Sequence, residues 1–150
     1  PPWQETGLEI WNGEEWQLWM TDGPANHFTL MRCINQLESG SVLCGGLGLG
    51  MMIQLMHSEK RFTEITVVER NPDVIALISP LLPDDSRVTI LQDDFWNIVP
   101  QLATKPPTNV LWDLIRFWVS ELPEMIRARD RLRLALPESN LTFHGYSHIK

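Results

Sequence analysis

The segment from residue 41 to residue 50 sets the tightest limit on what this chain can fold into. It reads Ser-Val-Leu-Cys and then Gly-Gly-Leu-Gly-Leu-Gly, and helix-forming residues continue to Met56. A short apolar run that stops in glycines predicts a buried strand, a sharp turn and then a helix. Glycines also let another molecule approach the backbone without a Cβ in the way. We therefore predict a strand, loop and helix unit with a binding site at the loop.

The same alternation of β-rich and helical segments continues along the chain. The further β-rich runs are 64–69, 87–92, 109–112 and 141–146. The helical patterns between them are 72–82, 95–102 and 123–136. Strands that alternate with helices form a parallel sheet that is covered on both faces. Because right-handed crossovers bring the carboxyl ends of such strands to one edge, ligands bind in the crevice outside that edge.

The first part of the chain has a different pattern. Residues 7–20 alternate in polarity on both sides of Asn12 and Gly13, which predicts a β-hairpin, and a helix is predicted over 25–37. We interpret residues 1–22 as a hairpin segment and 23–150 as the nucleotide-binding part of a single domain. Four of the seven tryptophans lie in the first twenty residues. They are either a packed aromatic cluster on the hairpin or the apolar wall of a substrate pocket.

Composition and charge narrow the class of partner. The formal net charge of -7 argues against a nucleic-acid backbone, which requires clustered Lys and Arg. The run from Arg127 to Arg133 is interleaved with acids, and we interpret it as the solvated face of a helix. No apolar run reaches the roughly 20 residues of a membrane span, and we see no signal peptide.

The cysteines indicate the redox setting. Cys33 and Cys44 both lie in apolar surroundings, where they are expected to be small core residues rather than a disulfide or metal pair. The four histidines show no metal-ligand spacing, so we expect no metal. We therefore expect a reducing, cytoplasmic setting.

Acidic residues follow the ends of three successive predicted strands. Glu69 stands nineteen positions after Gly50, where a carboxylate can accept hydrogen bonds from both hydroxyls of a ribose; a surface salt bridge is the alternative. Asp94 can accept from the exocyclic amine of a purine, with Phe95 or Trp96 over the base, or it can cap the next helix. Asp113 can orient or deprotonate an amine nucleophile, or it can cap a helix.

The spacing of the glycines in the loop disfavours one class of nucleotide ligand. The glycines are spaced G-x-G-x-G, and Met51 stands where the dinucleotide pattern G-x-G-x-x-G needs its last glycine. This difference disfavours a ligand with the pyrophosphate of NAD.

Three segments resemble motifs of one enzyme superfamily. Residues 42–50 resemble the glycine-rich motif of class I S-adenosylmethionine-dependent methyltransferases. Residues 67–75 resemble the acidic motif of the second strand, most closely that of the spermidine synthase branch, and 87–95 resemble the motif of the third strand. The resemblance implies S-adenosylmethionine as cofactor. It also implies cofactor contacts from Gly46, Leu47, Gly48, Gly50, Glu69, Arg70, Asp93, Asp94 and Phe95, and a catalytic role for Asp113.

The resemblance also implies an α/β, Rossmann-like, doubly wound and mostly parallel sheet in the order 3-2-1-4-5 with an N-terminal β-hairpin. The family sheet adds an antiparallel pair after the fifth strand, and this sequence ends near that strand, so we expect the last two strands to be missing. An open edge strand tends to find a partner, which predicts a homodimer through that edge.

The expected activity is methyl transfer to a small-molecule acceptor, without nucleic-acid or membrane partners. One alternative is an aminopropyltransferase that uses decarboxylated S-adenosylmethionine. That signature continues as Asp-Ser/Thr-Ser/Thr-Asp-Pro, whereas residues 113–117 read Asp-Leu-Ile-Arg-Phe. The sequence is also compatible with a non-catalytic cofactor-binding or partner subunit, and with cleavage of the cofactor to methylthioadenosine and a lactone.

Overall fold

The computed structural model of the 150-residue chain describes residues 4–114 and 122–144. The strands in these residues are β1 (Gly7–Trp11), β2 (Trp16–Thr21), β3 (Gly40–Gly45), β4 (Phe62–Glu69), β5 (Val88–Gln92), β6 (Asn109–Trp112) and β7 (Asn140–Phe143). The helices are α1 (Pro24–Ile34), α2 (Met51–His57), α3 (Pro72–Ile78), α4 (Phe95–Ile98) and α5 (Leu122–Ala135). Short 3-10 turns at Ser79–Leu81 and Val99–Leu102 extend α3 and α4.

Five parallel strands form the central sheet in the order β5-β4-β3-β6-β7. Counted within this sheet, the order is 3-2-1-4-5, so the predicted α/β fold is confirmed. The central strand β3 pairs with β4 on one side and β6 on the other, with Cys44 opposite Val67 and Leu111. All five carboxyl ends therefore meet at one edge, as the strand and helix alternation predicted.

Each face of the sheet carries its own apolar core. Side chains from α1 and α2 pack with Cys44 and Val67 on one face, and side chains from α4 and α5 pack with Leu43 and Trp112 on the other. Both cysteines are buried in the core, as predicted. Burial, together with the negative charge of Asp113, raises the pKa of Cys44 to about 12, so its thiol stays protonated.

The N-terminal hairpin prediction is confirmed. Strands β1 and β2 are antiparallel, with Trp11 paired to Trp16 across a four-residue connection. The side chain of Asn12 accepts hydrogen bonds from the backbone N–H groups of Glu14 and Glu15, at 2.8 and 2.9 Å. Asparagine stabilises a turn in this way because its side chain satisfies backbone donors that face inward.

Several element ends differ from the sequence predictions, among them the ends of α1 and β7. Helix α1 ends at Ile34, three residues before the predicted Leu37, because the Arg61 guanidinium binds the carbonyl oxygens of both residues. The guanidinium adds a partner to these carbonyls, and the Ile34 oxygen also accepts from the N–H of Leu37 at 3.1 Å in a tighter final turn. Strand β7 ends at Phe143, whereas the prediction runs to Tyr146, which lies outside the described residues.

Helix α5 supports the interpretation of the arginine run. Arg127 and Arg133 are exposed, whereas the guanidinium of Arg131 lies 4.2 Å from the centroid of the Trp96 ring; Ala128 and Leu132 of the same helix are buried. Across residues 4–114 and 122–144, the helices are all too short or too polar to span a bilayer.

We predict that Gly50→Ala destabilises the fold by about 2–4 kcal/mol, from the left-handed backbone and from overpacking. Gly50 has φ +75°, and an added Cβ would lie 2.5 Å from Leu82 Cδ2 and 3.1 Å from Ile78 Cγ2. Gly13→Ala is the matched control, because its φ is also positive (+106°) but its Cβ would meet open space. Urea unfolding of both variants measures the difference, and equal losses would contradict the packing account.

Candidate functional site

The glycine loop lies between the carboxyl ends of β4 and β6. Gly46 has φ +88°, and its N–H donates to the carbonyl oxygen of Val68 at 2.9 Å. A Cβ on Gly46 would lie 2.8 Å from the carbonyl oxygen of Asp113. Only glycine fits this backbone at this distance, because any side chain would collide with the end of β6.

The hairpin lies against the same loop. Gly48 has φ +51°, and the Met20 sulfur of β2 fills the space where a Cβ would stand. The hairpin thereby forms one wall of a cleft of about 820 Å³ above the carboxyl edge of the sheet. Small-molecule sites have volumes in this range.

Glu69 holds the loop from the end of β4. One carboxylate oxygen, Oε2, accepts from the N–H of Leu47 at 3.0 Å, and Oε1 accepts from the N–H of Asn71 at 2.8 Å. The carboxylate thus links the glycine loop to the start of α3. Within the described residues Glu69 makes no ion pair, in contrast to the salt-bridge alternative, and each oxygen keeps a lone pair for a ligand hydroxyl.

Asp93 and Asp94 organise the start of α4. Asp94 Oδ1 accepts from the N–H of Trp96 at 2.8 Å, which is the helix-capping role that the sequence left open. Asp93 Oδ1 accepts from the N–H of Asp94 and from the Asn97 side chain, at 2.7 and 3.0 Å. Both aspartates line the cleft, so capping and ligand binding are compatible.

Asp113 forms a chain of polar contacts with His144 and Thr29. Asp113 Oδ1 lies 2.8 Å from His144 Nδ1, and His144 Nε2 lies 2.9 Å from Thr29 Oγ1. The Thr29 hydroxyl also lies 3.0 and 3.1 Å from the carbonyl oxygens of Asn26 and Ala25. Asp113 therefore pairs with a histidine, and the helix cap considered from the sequence is not seen in the described residues.

The contacts along this chain accommodate a charged histidine. A hydroxyl has one hydrogen, and Thr29 can donate it to a helix carbonyl, which leaves its oxygen to accept from His144 Nε2–H. The carboxylate of Asp113 accepts from Nδ1–H, so a ring with protons on both nitrogens satisfies every contact of the chain. Burial lowers the pKa of His144, but the hydrogen bond to Asp113 and the charge of that carboxylate outweigh it and raise the pKa above 6.5.

The cleft gathers most of the predicted site residues. The ones that line it are Gly46, Gly48, Glu69, Arg70, Asp93, Asp94, Phe95 and Asp113. Leu47 and Gly50 do not line it. The Leu47 side chain lies in the core, and only its N–H contacts Glu69. Gly50 is the N-cap residue of α2 and packs against Leu82 and Ile78.

Sequence reasoning missed His144. It follows β7 directly, in the position that Glu69 and Asp113 occupy at the ends of β4 and β6. The predicted strand runs past it to Tyr146, which makes His144 an ordinary strand residue. A predicted strand that ended at Phe143 would have placed the His144 ring at the same edge of the sheet as Glu69 and Asp113.

We predict that His144→Gln destabilises the protein by about 1.5–3 kcal/mol just below pH 6.5, because a charged hydrogen bond is lost. The pKa of His144 is higher in the folded state than its ordinary value of 6.5. Its contribution is therefore full below pH 6.5 and is lost as the pH rises through the folded-state pKa. Urea unfolding of both proteins across this range checks the prediction. In an Asp113→Asn background, the effect of His144→Gln on the free energy of unfolding should no longer depend on pH. A loss of stability in His144→Gln that is constant with pH would refute the prediction.

The architecture of this chain is similar to that of several solved proteins. No family model and no curated protein sequence matches the chain. Solved structures do match. The crystal structure of human methyltransferase-like protein 13 in complex with S-adenosylhomocysteine has a TM-score of 0.54 and 16% identity, and covers 78% of this chain. The Aeropyrum pernix fibrillarin with natively bound S-adenosyl-L-methionine has a TM-score of 0.53 and 17% identity, and covers 87%.

A third match is the precorrin 8W decarboxylase of Methanobacterium thermoautotrophicum, with a TM-score of 0.50, 16% identity and 81% coverage. This chain spans between 56% and 62% of the length of the three matched chains. At these identities the matches show the fold: a Rossmann-like α/β sheet of the kind found in methyltransferases.

Proposed function

We propose that the protein binds S-adenosylmethionine in the cleft and transfers its methyl group to a small-molecule acceptor. The observation that carries the proposal is the convergence at one sheet edge of the glycine loop, of Glu69 bonded to that loop, and of Asp94. Two of the structures with the same fold contain S-adenosylhomocysteine or S-adenosyl-L-methionine, which supports the choice of ligand.

The residues of the cleft fit the parts of this ligand. Gly46 and Gly48 present backbone without a Cβ and would border the methionine part. Glu69 would accept hydrogen bonds from the ribose hydroxyls, and Asp94 from the adenine amine. Carboxylates suit both partners, because hydroxyls and exocyclic amines donate hydrogen bonds.

The acceptor would meet the cofactor beside Asp113. S-adenosylmethionine supplies a methyl group that its sulfonium charge makes electrophilic. Asp113 Oδ2 makes no hydrogen bond within the described residues, so it can accept one from the N–H or O–H of an acceptor while Oδ1 stays bonded to His144. Orienting the nucleophile in line with the methyl group can supply most of the rate in such a transfer.

Aminopropyl transfer from decarboxylated S-adenosylmethionine is the second candidate. Seven carboxylate side chains line the cleft, which would suit an amine acceptor. Removing the cofactor carboxylate would also remove a charge from a cleft that is already anionic. Comparing the two cofactor forms in one titration separates the candidates.

We also propose that the protein forms a homodimer through β7. This strand pairs with β6 on one side, and within the described residues its other side has no strand partner. Light scattering tests this proposal, and a monomer at high protein concentration would contradict it.

The test of binding is calorimetry with S-adenosylmethionine, its decarboxylated form, S-adenosylhomocysteine and NAD. We expect the adenosyl sulfonium ligands and S-adenosylhomocysteine to bind and NAD not to bind. Mass spectrometry of reactions with an acceptor panel then identifies a methylated or aminopropylated product. No binding of any adenosyl ligand would overturn the proposed function.

We predict that Glu69→Ala weakens S-adenosylhomocysteine binding by about 1.5–3 kcal/mol, or roughly 10- to 150-fold, because charge-assisted hydrogen bonds are lost. Calorimetry measures the affinity, and circular dichroism checks that the variant is folded. Glu64→Ala is the control, since Glu64 is an exposed residue of the same strand that does not line the cleft. Unchanged affinity in Glu69→Ala would refute the ribose assignment.

A further inference from the structure

We propose that the acceptor part of the cleft binds a small aromatic compound that carries a protonated amine. This proposal rests on the proposed function, since it names the class of acceptor for the same site. Three observations carry it: the distribution of tryptophans, the charge of the cleft lining, and a buried indole N–H that has no partner among residues 4–114 and 122–144.

Every tryptophan within the described residues lines this one cleft. These residues are Trp11, Trp16, Trp19, Trp96 and Trp112. Trp16 is 65% exposed and Trp11 is 51% exposed, so packing within the protein leaves much of these two indoles accessible. Their ring centroids lie 5.6 Å apart across the hairpin. Exposed apolar side chains gathered at a cleft mark a binding surface, and indole faces favour a flat aromatic partner.

The charge of the same lining is strongly negative. The carboxylates are Glu9, Glu69, Asp73, Asp93, Asp94, Asp113 and Glu124, and the cationic side chains are Arg70 and His144. Four of these acids already accept hydrogen bonds from the protein. Such a lining attracts cations and repels phosphates and carboxylates.

Glu9 on β1 and Glu124 in the first turn of α5 are two of the carboxylates that line the cleft. Both are exposed, and neither makes an ion pair in the described part of the chain. Glu9 is two residues before Trp11 on β1, so the carboxylate and the indole lie on the same face of the strand. A molecule with a ring and an ammonium group would contact both at once. The indole face adds its own attraction for a cation.

Trp112 points to a bound molecule independently. Its side chain is 3% exposed, and Nε1 has no hydrogen-bond partner in the described residues. A buried donor without an acceptor is unfavourable by about 1–3 kcal/mol, so most buried indoles have a partner. Trp112 lines the cleft but Nε1 is closed to solvent, so an oxygen or nitrogen of a bound compound can take this hydrogen bond only after the side chains around the indole move.

The decisive comparison uses four probes on protein saturated with S-adenosylhomocysteine. Tyramine has the ring, a ring oxygen and the ammonium group. Tyrosol replaces the amine by a hydroxyl, hydroxyphenylpropionate replaces it by a carboxylate, and putrescine has amines without a ring. We expect calorimetry to show that tyramine binds about tenfold or more tightly than hydroxyphenylpropionate and putrescine. The affinity for tyrosol should lie between that for tyramine and that for the other two probes.

The outcomes separate this proposal from the proposed function. If S-adenosylhomocysteine binds but tyramine does not, this proposal is overturned and the proposed function stands. Equal affinity for tyramine and hydroxyphenylpropionate, or for tyramine and putrescine, also overturns it. If S-adenosylhomocysteine does not bind, the proposed function fails, and the same four titrations into the protein alone still decide this proposal.

Matched variants assign the effect to the named side chains. Glu9→Gln and Glu124→Gln should each weaken tyramine binding by about two- to fivefold and leave tyrosol binding unchanged, because only the charge is removed. Glu14→Gln is the control, since Glu14 is an exposed acid of the hairpin turn outside the cleft lining. Trp16→Leu should weaken tyramine and tyrosol alike by about fivefold. Equal effects of Glu9→Gln and Glu14→Gln would contradict the role of Glu9.

Discussion

The contact of the Gly46 backbone with the end of β6 is the constraint on which the rest of the cleft depends. A Cβ at Gly46 would lie 2.8 Å from the Asp113 carbonyl oxygen, and the Asp113 N–H donates to the carbonyl oxygen of Gly45. This close approach is possible only for glycine with a positive φ. It brings the loop, the carboxyl end of β4 and the carboxyl end of β6 to one place, so that Glu69 and Asp113 face a shared space.

The two central carboxylates of that space both have hydrogen-bond partners in the protein. Glu69 is satisfied by two backbone N–H groups, and Asp113 by a histidine whose second nitrogen contacts Thr29 on α1. Buried or half-buried carboxylates need such partners because the interior screens charge poorly. The same partners orient the carboxylates, so the interactions that stabilise the cleft also prepare it for a ligand.

The hairpin gives the cleft its aromatic character. It pairs within itself, lies against Gly48 through Met20, and turns its indoles toward the carboxyl edge of the sheet. A parallel sheet alone would leave that edge open to water. The hairpin therefore gives the crevice at this edge an apolar wall, and Glu9 adds a negative charge to it.

The sequence by itself determined the α/β class, the hairpin, and the glycine loop and acids of the cleft. These follow from local patterns: polarity of period two, glycines after a strand, and acids at strand ends. The sheet order was implied by the resemblance of three segments to a known superfamily. Tertiary structure decided the rest. It showed that Gly50 serves packing against Leu82, that Asp94 caps α4, and that His144 joins Asp113. It also showed that distant tryptophans share one cleft with the acids. Such contacts join residues far apart in the chain, and only the packing of the strands and helices brings them together.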